Sequence, residues 1–354
     1  MTASTKTNSG HFFEDFRLGQ NFVHATPRTL TKGDAALYTA LYGGRFALQS
    51  ADAFARALGY PESPLDDLLV FHTVFGKTVP DVSLNAVANL GYAEGRFLKR
   101  VYPGTTLSAA SEVIGLKENS NKQTGVVYVR TKGIDDAGDL VLSYVRWVMV
   151  RKRDIASPTG EICVPELADA VSPTMLAAPP DTNFAGFDRI RSGSAHLWAD
   201  YAIGEKIDHV DGVTVEEADH MLATRLYQNT ARVHFNQFSE GKGRFGRRLV
   251  YGGHVISLAR ALSFNGLANA CAIAAINGGR HVNPLFAGDT VFAWSEVLDK
   301  QPLAERNDLG ALRLRLVATK NLPCEAFPDK DAEGRYLENA VLDFDYWALV
   351  PCSA

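Results

Sequence analysis

The sequence predicts an α+β protein made of two alike halves, each an antiparallel sheet packed on one largely buried helix. Two observations point there: a repeat with a nearly constant offset, and hydrophobic periodicity that alternates between helical and strand patterns in the same order twice. At 354 residues the chain also exceeds the usual range of a single core, which makes two domains the default expectation.

The repeat is plainest where RFLKRVYPGTTLSAASEV, residues 96 to 113, lies over RHVNPLFAGDTVFAWSEV, residues 280 to 297, an offset of 280 − 96 = 184. Arg96/Arg280, Gly104/Gly288, Thr106/Thr290, Ser111/Ser295, Glu112/Glu296 and Val113/Val297 are identical there. FEDFRLGQ (13–20) resembles WADYAIGE (198–205), Asp34 falls on Asp219 and Tyr42 on Tyr227. LVFHTVF (69–75) matches LVYGGHV (249–255) at a shorter offset, and Trp147 matches Trp347 near the two ends. So many collinear matches indicate a tandem duplication, with residues 11–150 as the first half and 196–354 as the second. Between them residues 151–195 include VPELADAVSPTMLAAPPD, rich in proline and without period, which predicts an extended connector over the surface.

Each half then reads alike. A helix is expected near 32–42 and again near 216–227, where Thr214 followed by Glu217 suggests a capping box. A polar loop follows, then an apolar segment. In the second half this is GGHVISLARALSFNGLA, whose Val255, Leu258, Ala259 and Leu262 recur at helical spacing. The runs TGVVYVRTKG and LVLSYVRWVMV, then ALRLRLVATK and AVLDFDYWALV, alternate with period two and favour β-branched and aromatic residues, as antiparallel strands do.

Bulk properties exclude several classes. With 46% hydrophobic and 21% charged residues and a formal net charge of −4, no basic excess suggests a nucleic-acid partner. The polar start MTASTKTNSG reads as a short disordered tail rather than a signal peptide. No apolar run reaches the ~18 residues that span a bilayer. Cys163, Cys271, Cys324 and Cys352 form no CxxC, which fits idle thiols in a reducing, cytoplasmic setting. No tight metal-ligand spacing appears, so no metal or other cofactor is expected. GKGRFG (241–246) formally matches GxGxxG, but polar FNQFSE precedes it where a dinucleotide site needs a strand.

FFEDFRLGQ, the block from Tyr227 to His234, the Gly-rich start of the apolar helix and RHVNPLFAGDTV together resemble the MaoC-like (R)-specific enoyl-CoA hydratases. That resemblance covers nearly the whole chain, once per half, and implies a double hotdog, in which antiparallel sheet wraps a central helix. The family motif runs Thr-Gly-Asp-x-Asn-Pro-Ile-His. Here the second half keeps the histidine, His234, but has Asn229 in place of the aspartate; the first half has Gly44 and Gln49 and has lost both. More narrowly, the sequence is similar to the mesaconyl-CoA hydratases (β-methylmalyl-CoA dehydratases), which implies a hydro-lyase acting on an acyl-CoA thioester, in a homo-oligomer of two or three copies.

Hydrating an enoyl thioester needs a base for water, donors for the enolate oxygen and a proton for Cα. His234 suits the acid–base role. Asn229 cannot exchange a proton, but its carbonyl could hold the water and fix the imidazole tautomer. Backbone amides at Gly252 and Gly253, at a helix start, suit the oxyanion role. The resemblance adds Tyr227 and His254 as substrate contacts, although packing explains His254 at least as well. Arg232 could clamp a substrate carboxylate, or be a surface arginine. Lys242, Arg244, Arg247 and Arg248 could meet coenzyme A phosphates, or form a solvated loop. Three other outcomes stay open: a hydratase for another acyl group, a hotdog thioesterase, or an acyl-CoA-binding protein without turnover.

Overall fold

The computed structural model describes residues 6–352 except 159 and 305. The disordered tail expected at residues 1–10 therefore lies partly outside the described residues. Ten strands build one sheet: β1 (Asn21–Thr29), β2 (Ala86–Phe97), β3 (Thr106–Glu118), β4 (Thr124–Ile134), β5 (Leu140–Arg151), β6 (Lys206–Thr214), β7 (Ala272–His281), β8 (Thr290–Pro302), β9 (Leu309–Lys320) and β10 (Ala340–Pro351). Their order is β1-β3-β4-β5-β2-β7-β10-β9-β8-β6, and all pairs are antiparallel. The first five positions repeat in reverse in the second five, as a duplicated hotdog requires. The halves join where β2 pairs with β7, with Tyr92 opposite Gly279. That glycine is needed, because a Cβ there would come within 2.9 Å of the Tyr92 ring and 3.0 Å of Phe344.

Sheet register confirms that Trp147 and Trp347 are equivalent. Trp147 lies opposite Gly91 on β2, and Trp347 lies opposite Ala275 on β7. Their offset is larger than elsewhere because the β9–β10 connection, residues 321–339, is longer than residues 135–139 between β4 and β5.

The sheet wraps two central helices, Asp67–Thr78 and Gly252–Leu262. Every residue of the first is buried, and Val255, Ile256, Leu258 and Ala259 of the second are at most 3% exposed. The matched helix starts correct the alignment of LVFHTVF with LVYGGHV. In space residues 69–75 correspond to 254–260, because the shared Leu-Val lies before the helix in one half and inside it in the other. The Tyr42 and Tyr227 hydroxyls bond at 2.8 Å, and His72 Nε2 meets Ser257 Oγ at 3.2 Å; both pairs are 185 residues apart. Equivalent positions that meet each other mark a two-fold axis between the halves.

Two local expectations change. The expected capping box at Thr214 and Glu217 is absent: Thr214 ends β6 with its hydroxyl 2.8 Å from that of Thr290, and Glu216 caps the helix Glu217–Leu226 with no side-chain bond. Pairing in the ladder holds the threonine in the strand. The first half has the box instead, Thr31 with Asp34 on the helix Lys32–Tyr42. The connector is irregular apart from Pro173–Met175 and Arg189–Ser192, yet it is packed down rather than loose. Val171 donates its amide to Asn277 Oδ1 at 2.9 Å and accepts from Trp347 Nε1 at 3.0 Å, and both Val171 and Phe184 are buried. All four cysteines are free thiols, and no described helix is long and apolar enough to cross a membrane.

Candidate active site

The stretch from Gln228 to His234 is a built turn. Gln228 closes the preceding helix in the left-handed region, φ 53°, where the first half has Gly43 at φ 61°. A side chain there costs about 1 kcal/mol relative to glycine, so the second half keeps a strained turn that the first half makes easily. Asn229 Oδ1 then accepts from the Ala231 amide at 3.0 Å, and Ala231 caps the one-turn helix Arg232–Phe235. His234 stands on that turn.

His234 Nδ1 lies 2.9 Å from the Leu249 carbonyl. A carbonyl only accepts, so Nδ1 carries the proton and Nε2 keeps a free lone pair. Burial lowers the imidazole pKa to about 4 against the pull of the Leu249 bond, so the ring is neutral at physiological pH. Its edge faces Tyr251, with ring centroids 5.3 Å apart.

Tyr251 is the N-cap of the second central helix, and Gly252 and Gly253 follow it. Both glycines are required by close approach. A Cβ at Gly252 would stand 2.7 Å from His281 Nδ1, and one at Gly253 would meet the Tyr251 ring and sit 2.6 Å from His72 Cε1. As the first two helical residues, their amides have no carbonyl to bond within the helix. They form an open donor pair at the positive end of the helix dipole.

Several expectations are corrected by this geometry. The His234 tautomer is fixed by Leu249 and not by Asn229. The Asn229 carbonyl is committed to its own turn, whereas Asn229 Nδ2 is buried without a partner among the described residues, so the group it can offer a ligand is a donor. Tyr227 and His254 are not open to substrate. Tyr227 is fully buried with its hydroxyl on Tyr42, and His254 is 1% exposed with Nδ1 3.1 Å from the same Tyr42 hydroxyl. Both belong to the polar seam between the halves. Arg232 is exposed and makes no ion pair among the described residues.

The basic loop is likewise open. Lys242 lies over Phe238 at 4.2 Å, Arg244 over Phe245 at 5.2 Å and Arg247 over Phe286 at 3.9 Å, none with a carboxylate partner among the described residues. Arg248 differs: it is paired with Glu217. The loop enters no βαβ unit, since the whole sheet is antiparallel.

Two histidines that the motif did not point to also reach this place. His72 comes from the first central helix, is fully buried and contacts Tyr251 Oη at 3.4 Å through Nδ1. His281 ends β7 and packs on Gly252. Its signal was in the repeat: His281 aligns with Phe97.

The first half closes its equivalent site. Gln49 Nε2 donates to the Cys271 carbonyl at 2.8 Å. At the helix start Asp66 accepts from the Leu68 amide at 2.8 Å, and Asp67 pairs with Arg100 and accepts from Ile273 N at 2.8 Å. A cleft does remain there, lined by Tyr38, Gly44, Gln49, Asp66 and Leu69. Among the described residues it has no histidine in its lining, and the Asp66 carboxylate stands where an oxyanion would bind.

Comparison with known proteins places the chain in a family. A family model described as mesaconyl-CoA hydratase matches residues 2–324. The chain is 64% identical over 348 residues to a β-methylmalyl-CoA dehydratase of Chloroflexus aurantiacus, covering 98% of this chain and 99% of that one. It is 62% identical over 346 residues to a mesaconyl-CoA hydratase of Cereibacter sphaeroides, again covering 98% and 99%. Among solved structures, a MaoC domain dehydratase from Chloroflexus aurantiacus superposes with a TM-score of 0.97 at 63% identity, covering 99% of this chain and all of that one. A Mycobacterium tuberculosis protein with a double hotdog fold gives 0.80 at 29%, covering 96% and 98%. With its fold and its relatives in accord, the chain belongs to the mesaconyl-CoA hydratase family.

Proposed function

We propose that this chain is a cofactor-independent hydro-lyase that reversibly adds water to mesaconyl-CoA, giving β-methylmalyl-CoA. The observation that carries this is a neutral histidine with a free Nε2 lone pair and an open pair of helix amides, both packed on Tyr251. In the forward direction His234 Nε2 takes a proton from water as the hydroxyl oxygen bonds to Cβ. The π electrons move onto the thioester oxygen, where the Gly252 and Gly253 amides stabilise the enolate. The proton on Nε2 then passes to Cα, and the histidine is restored. A pKa near 4 makes His234 a weak resting base; the enolate charge that develops beside it favours the imidazolium as the reaction proceeds.

Asn229 Nδ2 supplies a donor to the water oxygen, leaving the water's own proton aimed at His234. Arg232 receives the substrate's distal carboxylate, and Lys242, Arg244 and Arg247 hold coenzyme A phosphates. We assign the enzyme to the cytoplasm as a homo-oligomer, on composition and family likeness. The test is an assay of mesaconyl-CoA in which enoyl absorbance and free thiol are followed together. Loss of absorbance without thiol is expected. Thiol release would mean a thioesterase, and binding with neither change would mean a carrier.

A further inference from the structure

We propose that His281, held by Tyr92 of the first half, is a second oxyanion donor that acts as a neutral imidazole beside the Gly252 and Gly253 amides. The proposal rests on the hydratase reading above and deepens it.

Position comes first. His281 packs on Gly252 so closely that any side chain at 252 would collide with it, with Nε2 2.5 Å and Nδ1 2.7 Å from the Cβ position. An imidazole nitrogen thus stands next to one of the two open amides. The ring is anchored through Nε2, which lies 3.3 Å from the Tyr92 hydroxyl, and Nδ1 is the second nitrogen beside Gly252.

The tautomer follows from what Tyr92 can do. Its hydroxyl has one proton and, among the described residues, no other acceptor than His281 Nε2. With that proton given to Nε2, the ring hydrogen resides on Nδ1, which has no partner. Tyr92 is 2% exposed, and burial pushes its own pKa up, so it remains a donor. Burial, with the neighbouring His234, also holds His281 to a pKa of about 4. A neutral N–H can stabilise developing charge on a thioester oxygen without losing its proton.

The repeat supports a role specific to the working half. The position aligned with His281 is Phe97, in the half whose helix start is already capped by Asp66. A histidine kept for packing alone has an apolar counterpart that serves the same place.

The experiment uses the full-length enzyme with mesaconyl-CoA. His281→Phe introduces the first-half residue, and kcat is expected to fall about 100-fold with KM changed less than threefold. Tyr92→Phe frees the tautomer while keeping the packing, and about a tenfold loss of kcat is expected. Isotope-edited infrared spectra of bound substrate carrying a ¹³C thioester carbonyl give a direct readout. The carbonyl band should move down on binding to the native enzyme, less with Tyr92→Phe, and least with His281→Phe, where the glycine amides alone remain. If His281→Phe melts early, Tyr92→Phe and its spectrum still decide. An unshifted kcat in either variant, or an undiminished carbonyl shift in His281→Phe, would overturn the proposal while leaving the hydratase reading intact. A native enzyme that leaves mesaconyl-CoA unchanged would overturn that reading instead.

Discussion

The two half-sites have the same scaffold and opposite contents. In the second, Asn229, His234, Gly252, Gly253 and His281 leave a lone pair and several donors free. In the first, Gly44, Gln49, Asp67, Leu68 and Phe97 stand at the matching places, and the Gln49 amide nitrogen and the Asp67 carboxylate are tied up by the protein. Gln49 bonds Cys271, Asp66 accepts from the Leu68 amide at the helix start, and Asp67 is held by Arg100 and the Ile273 amide. The difference shows how a duplicated fold specialises. Once one copy performs the chemistry, the other can fill its own helix terminus and gain stability there. It still reaches the second half-site, through His72 and Tyr92 across the two-fold axis.

The sharpest way to break this contrast is to remove the matched side chains. His234→Ala should lower kcat on mesaconyl-CoA by ~100-fold or more. Gln49→Ala should retain most turnover and lose only about 1 kcal/mol of stability, from its bond to Cys271. Equal losses of kcat in the two variants would show that both half-sites work.

Charge recognition is the next largest effect. Arg232→Leu should reduce kcat/KM for mesaconyl-CoA by about 10- to 100-fold, the range of one charge-assisted bond, and leave crotonyl-CoA nearly unaffected. A uniform effect on both would make Arg232 a surface residue with no part in specificity.

Asn229 tests the same point more finely. Asn229→Asp removes the free N–H donor and adds a charge that repels a second carboxylate in a poorly hydrated pocket. It should lower kcat/KM for mesaconyl-CoA by about tenfold and retain or improve hydration of a neutral enoyl-CoA. Asn229→Ala should damage both substrates, because the turn that carries His234 loses its side-chain anchor as well. A shift of the Asn229→Asp ratio toward mesaconyl-CoA would refute the charge explanation.

The smallest effect is acid sensitivity. Burial holds His72 and His254 at about 3, and His234 and His281 at about 4. These lowered values mean that the unfolded chain binds more protons once the pH drops below the ordinary imidazole range. Their contribution is therefore complete above about pH 6.5 and is lost as the pH falls toward 3–4. Thermal melts should show Tm lower by roughly 5 °C at pH 4.5 than at pH 7. His281→Phe should flatten part of that slope; an unchanged slope would place the acid response elsewhere.

Much of this was legible along the chain. The duplication and the period-two alternation of four runs are local patterns, and they reappear in the structure where the sequence placed them, the runs as β4, β5, β9 and β10. Misplaced features were those in which a local signal competed with a distant partner. Thr214 has the sequence of a cap, but its hydroxyl is held by Thr290. LVYGGHV resembles LVFHTVF, but the two helices start at different points within these strings. Tyr227 and His254 sit beside the motif, yet each meets Tyr42 from the other half. The basic loop was visible as charge, while the separation of Arg248, paired to Glu217, from its three open neighbours was not.

What the sequence by itself determined was the fold class, the two-fold repeat and which half retains an acid–base residue. Those depend on periodicity and on residue type, which a linear chain displays. Only the tertiary structure decided which atom of each residue is free: the unprotonated nitrogen of His234, the amide and not the carbonyl of Asn229, and the approach of His72 and His281 to the glycines. Hydrogen-bond satisfaction is settled by partners that periodicity does not display, from Ala231 beside Asn229 to Tyr92 in the other half from His281, and a side chain's chemistry is whatever those partners leave unused.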